Sequence, residues 1–454
     1  MSRGDIAAPA VLRVAMFPRG LDGLFLPALE GVEICALVES GTPEQTWIEQ
    51  IWPAPQVLPY TLQQPGLGIY PSTQDLLLHS DIATVLRRSG TQALLLSCSC
   101  SESMYAWAKK HGVLLLMSDY RHQRFENKLW FDAFLRRHRL PRPSGGSYTI
   151  GSPAPLPVRG QAVLQRAEST GGEGTFFVQD PREVEVLLAS GLFHQGERTL
   201  VRKRICGKPY GITVFVAPGV VALSPIRLQC YYPQTDAAEG QSFAGIQWLA
   251  SRELPDRLGS RLSRVFLRLG KLLYQRRFFG FANIDFVVDA QQRLFIIECN
   301  PRMSAATPQL LSRPELCPAA AVGEQFLRGF TRPRRYPRVP VLLGMPQSDY
   351  QGASLDLVSG SDSEPAPIRR TFPSGLYASD GPRVTYRGPD LRPLSRSSGF
   401  GLVSFARLGQ VAHRHDTLGT IVSSEPLFDP KGALLPRAQH LLAHFRDEDD
   451  RPRS

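Results

Sequence analysis

Apolar residues fall in short runs along most of the chain, and the spacing between runs indicates what they build. In the first 120 residues, 11–16, 33–38, 93–97 and 113–118 are apolar runs of strand length, and 73–89 and 102–111 between them have helical periodicity. Strands alternating with helices predict a parallel sheet, so residues 1–120 read as an N-terminal parallel α/β domain. No G-x-G-x-x-G follows the first strand, so the dinucleotide fingerprint is missing and the domain reads as a scaffold or substrate wall.

An amphipathic helix over 126–135 stops before Leu140-Pro141-Arg142-Pro143 and marks a boundary. Two apolar strands between 161 and 178 flank a glycine-rich run near 168–175, followed by a helix over 182–190. Strands are expected at 199–205 and 211–216, a helix at 257–277 and a hairpin at 282–298. Beyond about residue 330, Arg332-Pro333-Arg334-Arg335-Tyr336-Pro337 and a Ser/Gly/Asp/Pro stretch at 348–368 predict connecting or flexible segments. A strand at 401–406 and a helix at 433–445 complete a C-terminal subdomain over 331–454. No repeat of fixed period is present.

At 454 residues, with 43% hydrophobic and 20% charged residues, the composition suits several packed domains and excludes wholesale disorder. The longest apolar runs are far shorter than a membrane span, and Met1-Ser2-Arg3-Gly4-Asp5 lacks a signal-peptide pattern, which points to the cytoplasm and no membrane partner. Seven cysteines without C-x-x-C spacing predict reduced thiols, with neither a disulfide framework nor a zinc site. The net charge of +11 comes from scattered arginines rather than a basic stripe with interleaved aromatics. Small anionic substrates, or an arginine-rich surface, therefore explain it without a nucleic-acid partner.

The chemistry concentrates in the hairpin. Residues 283–288 and 294–300 are β-rich runs joined by Asp289-Ala290-Gln291-Gln292-Arg293. With the turn centred between Gln291 and Gln292, Asp285 lies opposite Glu298 on one face. Opposed carboxylates destabilise a strand pair unless a cation sits between them. Asn300 points to the same face and adds a neutral oxygen, giving an all-oxygen set suited to Mg²⁺, with Mn²⁺ as an alternative. Pro301-Arg302 follows, placing a guanidinium beside that set.

Gly280, then Asp285, then Glu298-Cys299-Asn300-Pro301-Arg302 closely resembles the ATP-grasp superfamily, over roughly residues 121–330. That resemblance implies an ATP-grasp fold after the N-terminal domain, with a metal hairpin over 281–302. It implies ATP and Mg²⁺ as cofactors, Asp285, Glu298 and Asn300 as metal ligands, and Arg302 as the catalytic contact to phosphate or substrate. Gly171, Gly172 and Gly174 resemble the family's phosphate loop, where missing side chains let backbone N–H groups approach. No Gly-Lys-Ser/Thr follows them, which excludes a Walker A loop. Lys128 resembles the lysine that reaches the nucleotide phosphates.

Two departures stand out. Gln165 occupies the place of a second nucleotide lysine, with Arg166 beside it as a substitute of different geometry. The hinge Leu200-Val201-Arg202-Lys203-Arg204 is basic where the family is acidic; Val201 and Lys203 are its expected nucleotide contacts.

The resemblance implies a carboxylate–amine ligase that forms an acyl phosphate and then an amide. Its expected substrates are small acids and amines, such as amino acids or short peptides, and a homo-oligomer is compatible with it. A small-molecule kinase that stops at the phosphorylated product, and a nucleotide-binding regulator without catalysis, are the alternatives.

Overall fold

The computed structural model describes residues 11–17, 31–63, 72–117, 119–152, 160–169, 174–232, 242–313, 316 and 337–445, without 180, 241, 255, 360–364, 381–382, 397–398 and 414–415. The first sheet contains β1 (Leu12–Met16), β2 (Val32–Glu39), β3 (Val57–Tyr60), β4 (Ala93–Leu95) and β5 (Leu114–Leu116) in the order β3-β2-β1-β4-β5. Every pair in it is parallel. Its strands are buried on both faces, Cys35 to Val38 completely, which is why they are continuous apolar runs rather than alternating ones.

Helix α1 (Pro43–Ile51) and strand β3 were not expected from the sequence. The single helix expected over 73–89 is two, α2 (Thr73–Leu78) and α3 (Ile82–Arg88). The Ser80 hydroxyl donates to the Leu76 carbonyl, and the Asp81 carboxylate accepts from the Thr61 N–H at 2.7 Å. The Ser80 hydroxyl competes with helical bonding at the break, and Asp81 is drawn to the segment after β3. Helix α4 (Glu102–His111) starts on Ser101, whose hydroxyl accepts from the Met104 N–H, and ends on Gly112 at φ 68°.

Helix α5 (Lys128–Arg137) begins on Asn127, whose side chain accepts from the Trp130 N–H at 3.0 Å and donates to Glu168 at 3.1 Å. Phe131, Phe134 and Leu135 bury its inner face. A four-stranded antiparallel sheet follows: β6 (Gly145–Thr149), β7 (Ala162–Arg166), β8 (Thr175–Val178) and β9 (Arg198–Lys203), in the order β6-β9-β7-β8, with α6 (Pro181–Ala189) between β8 and β9.

The third sheet has twelve strands. It contains β10 (Gly207–Ala217), β11 (Val220–Leu223), β12 (Arg227–Tyr231), β13 (Phe243–Trp248), β14 (Gly280–Asp289), β15 (Leu294–Asn300), β16 (Val341–Leu343) and β17 (Ala353–Val358). The strands at Gly375–Asp380, Arg383–Gly388, Phe400–Ser404 and Thr417–Ser423 extend it beyond β17. Helix α7 (Asp256–Gln275) buries Leu258, Leu262, Phe266, Leu269 and Leu273 against this sheet. Gly270 allows the approach, since a Cβ there would lie 2.4 Å from Val221.

The stretch 348–368, expected to be flexible, contains buried strand β17. Ala353, Leu355 and Leu357 turn into the core while Ser354 and Asp356 take the other face. This period-two pattern is hidden among the polar residues that flank it. Nor does the sheet end near residue 330, because β17 pairs with β13 and the C-terminal helix Pro436–Phe445 packs into the same core as α7. Among the described residues, no helix is long and apolar enough to cross a membrane.

Candidate active site

Strands β14 and β15 pair antiparallel, with Asp285 opposite Glu298 and Asn283 opposite Asn300. The expected opposition is observed, but the turn is not where the sequence put it. Val288 opposite Leu294 and Phe286 opposite Ile296 centre the hairpin on Gln291, a residue whose neighbour Gln292 takes φ 57°. In that register Asp285 would face Ile297. A β-bulge between the two registers absorbs Ile297 and brings Glu298 opposite Asp285. The bulge also turns Ile297 and Glu298 to the same cavity while Cys299 returns to the core. The Ile297 carbonyl accepts from Nη1 of Arg202 at 3.0 Å.

Around the carboxylates the bonds interlock. Gln229 Nε2 donates to Asp285 Oδ1, and Asn300 Nδ2 donates to Asp285 Oδ2 at 3.2 Å and to Glu298 Oε1 at 3.4 Å. Lys128 Nζ lies 3.5 Å from Glu298 Oε2 and donates to the Ser169 carbonyl at 2.8 Å and its hydroxyl at 3.2 Å. Arg302 Nε pairs with Glu126 at 3.2 Å, and its Nη2 donates to Asn300 Oδ1 at 3.4 Å.

Burial, together with the charge and hydrogen bond of Glu298, raises the Asp285 carboxyl well above the usual carboxylate range. Burial pushes Glu298 the same way, but Lys128 and its hydrogen-bonding neighbours outweigh it and hold that carboxyl below its ordinary value. The cost of placing the two charges together therefore falls on Asp285 rather than on Glu298. Among the described residues no group of three or more His, Cys, Asp or Glu side chains is placed to hold a metal ion. The donor set is thus two carboxylates and one amide, which fits a hard ion that keeps room for water and phosphate oxygens. The Asn300 N–H group now bridges the carboxylates, and half a turn of that amide presents its oxygen instead.

The cavity above the pair has a volume of about 390 Å³. Lys128, expected to reach the nucleotide phosphates, lines it, is 4% exposed and lies beside Glu298. Pro143, Val163, Phe177 and Ile205 form an apolar slot beside the hinge, with the Arg204 guanidinium 4.7 Å above the Phe177 ring. Gln165 also lines the cavity, where its Nε2 donates to Thr175 Oγ1 at 3.3 Å and its Oε1 accepts from Arg202 Nη2. Arg202 is 2% exposed, and burial lowers its guanidinium to about 10 despite Asp132 and Glu298 nearby.

Arg166, expected as a substitute for lysine, turns away. It alternates with Gln165 along β7, pairs with Glu197 at 3.3 Å, and does not line this cavity. Val201 packs its side chain into a separate core with Leu164 and Phe193, while Lys203 lines the cavity. Gly171 and Gly172 lie outside the described residues. Gly174 has φ 69°, and a Cβ there would crowd Arg166 at 3.0 Å.

Sequence reasoning missed Gln229, Arg227 and Asn283, and assigned Arg202 no specific contact. The signal for the first two was the alternation Arg227-Leu228-Gln229-Cys230-Tyr231, in which the polar members line the cavity and Leu228 and Cys230 are buried in the core.

No family model matches the chain. Solved structures do. The biotin carboxylase domain dimer of Hydrogenobacter thermophilus 2-oxoglutarate carboxylase, in complex with MgADP, ADP and bicarbonate, has 12% identity and a TM-score of 0.60 over 91% of this chain and 86% of that one. Biotin carboxylase from Campylobacter jejuni in its β-γ-ATP complex matches at 12% identity and 0.60, over 91% and 87%. Carboxyaminoimidazole ribonucleotide synthase from Aspergillus clavatus, complexed with ATP, matches at 10% and 0.55, over 96% and 100%. These neighbours are ATP-grasp enzymes, and this chain shares their fold.

Proposed function

We propose that the chain is an ADP-forming ligase that uses ATP and Mg²⁺ to activate a substrate carboxylate as an acyl phosphate and couples it to an amine. The observation that carries this reading is the Asp285–Glu298 pair, two opposed carboxylates with Asn300 hydrogen-bonded to both, Lys128 3.5 Å from Glu298, and Arg302 donating to Asn300. Such a grouping is unfavourable for folding alone and suits a divalent ion with nucleotide phosphates. Neighbours in complex with MgADP and ATP support the same cofactors.

Asp285, Glu298 and the Asn300 oxygen would hold Mg²⁺, which supplies neutralising charge at the phosphates. Lys128 holds anionic oxygens along the cavity, and the Phe177 slot takes the base. Arg302, oriented by Glu126, faces charge on the transferring phosphoryl group or on the acyl intermediate. A carboxylate oxygen forms a bond to the γ-phosphorus as its bond to the β-phosphate oxygen breaks. The amine nitrogen then forms the C–N bond, phosphate leaves with the C–O electrons, and the amine proton passes to base.

The test is an ADP-release screen of paired acids and amines, with mass spectrometry of the products. The acid set includes bicarbonate, because the Hydrogenobacter neighbour contains it. The expected result is ADP, phosphate and an amide or carbamate for one pair. A stable phosphorylated acid without amide would favour a kinase, and MgATP binding with no ADP release for any pair would reject catalysis.

A further inference from the structure

A single row crosses five strands of the large sheet: Glu298 on β15, Asp285 on β14, Gly211 on β10, Arg227 on β12 and Trp248 on β13 are successive partners. Directly opposed residues share a face. At the centre of the row Gly211 has no side chain, and the Arg227 guanidinium occupies the space. A Cβ at position 211 would lie 2.9 Å from Arg227 Nε and 3.0 Å from Cζ.

Arg227 is only 3% exposed and lines the cavity. Its Nη1 donates to Thr213 Oγ1 at 3.0 Å and its Nη2 to Asn283 Oδ1 at 3.1 Å, while Trp248 stands 5.8 Å from its centre. These partners are neutral, and among the described residues no carboxylate forms an ion pair with it. A buried guanidinium hydrogen-bonded only to neutral groups, with the Asp285 carboxylate acting on it from beyond ion-pairing distance, is costly to fold. Five N–H donors in a rigid fork on a cavity wall match a planar carboxylate.

Asn283 ties this cation to the rest of the site. It accepts from Arg227 and from Thr213, at 2.7 Å, and its Nδ2 donates to the Arg302 carbonyl at 2.6 Å. The cavity wall combines Phe243, Ile246 and Ala306, which pack with Trp248, and the polar side chains Gln229, Tyr231 and Ser304.

We infer that Arg227, set over Gly211 and oriented by Asn283, is the seat for the carboxylate of a small acid. This assignment rests on the ligase reading above, since it names which side chain holds the acid to be activated. Asp285 stands between the seat and Glu298 in the row, so an acid there lies beside the nucleotide's metal ligands.

The full chain saturated with MgADP is titrated calorimetrically with bicarbonate, acetate, isobutyrate and L-alanine. At least one binds, Arg227→Gln weakens it about 30-fold or more, and MgADP affinity stays within about threefold. Gly211→Ala keeps the charge but crowds the guanidinium, and weakens the same acid about tenfold. If Arg227→Gln fails to fold, Gly211→Ala decides. Binding of no acid, or equal binding by wild type and both variants, overturns the seat. Arg227-dependent binding without ADP release in the paired screen keeps the seat and rejects the ligase. ADP release that is unaltered in Arg227→Gln keeps the ligase and rejects the seat.

Discussion

On the hairpin side of the cavity, Asp285 and Glu298 face each other with one amide between them. On the hinge side, Arg202 lies buried against the oxygens of Gln165 and Ile297, with Asp132 at 4.0 Å. The hairpin gathers like charges that repel until a cation arrives, so its arrangement is explained by a ligand. The hinge satisfies its charge internally, and its arrangement is explained by the fold as well as by a ligand. Function should therefore fail first when the hairpin is altered, and folding when the hinge is.

The largest effect is expected from Asp285→Asn and Glu298→Gln, which should each lower ADP release at least about 1000-fold once a substrate pair is known. Asp285→Asn should lose that activity without losing metal-free melting temperature, because it removes a like-charge contact. A steep drop in melting temperature would show that the pair stabilises the fold and would break the comparison. Next comes Lys128→Met, expected to weaken ADP binding about 30-fold by calorimetry, since it removes a buried cation beside Glu298.

On the hinge side, Arg202→Gln should cost about 2 kcal/mol in denaturant unfolding, as it leaves the Ile297 carbonyl and Gln165 without their donor. Unchanged stability with lost nucleotide affinity would move Arg202 to the ligand's side of the comparison. The smallest effect is in pH dependence. Asp285 binds its proton more tightly folded than unfolded, so that stability is complete below the unfolded value of 3.8 and is lost as pH rises through the elevated folded value. Metal-free melting temperature should fall by a few degrees across that window, flatten in Asp285→Asn, and be restored by MgCl₂. Arg202, titrating near 10, contributes nothing to that slope at neutral pH.

The sequence by itself determined the β14–β15 hairpin, helix α5 with Lys128 at its start, and the Glu-x-Asn-Pro-Arg grouping, because strand period, capping and turn chemistry act over a few residues. It placed Asp285 opposite Glu298 from a turn centre that the structure moves, and the bulge at Ile297 reconciles the two. Tertiary structure decided the rest. Arg166 turns from the cavity because β7 pairs with β8 and β9 in a register that gives Gln165 the inner face. Arg202 reaches Gln165 only because β9 lies beside β7. The row from Glu298 through Gly211 to Arg227 exists only because β10 sits between β14 and β12. Which strands become neighbours in a sheet depends on burying all their apolar faces at once, and no short window of residues carries that information.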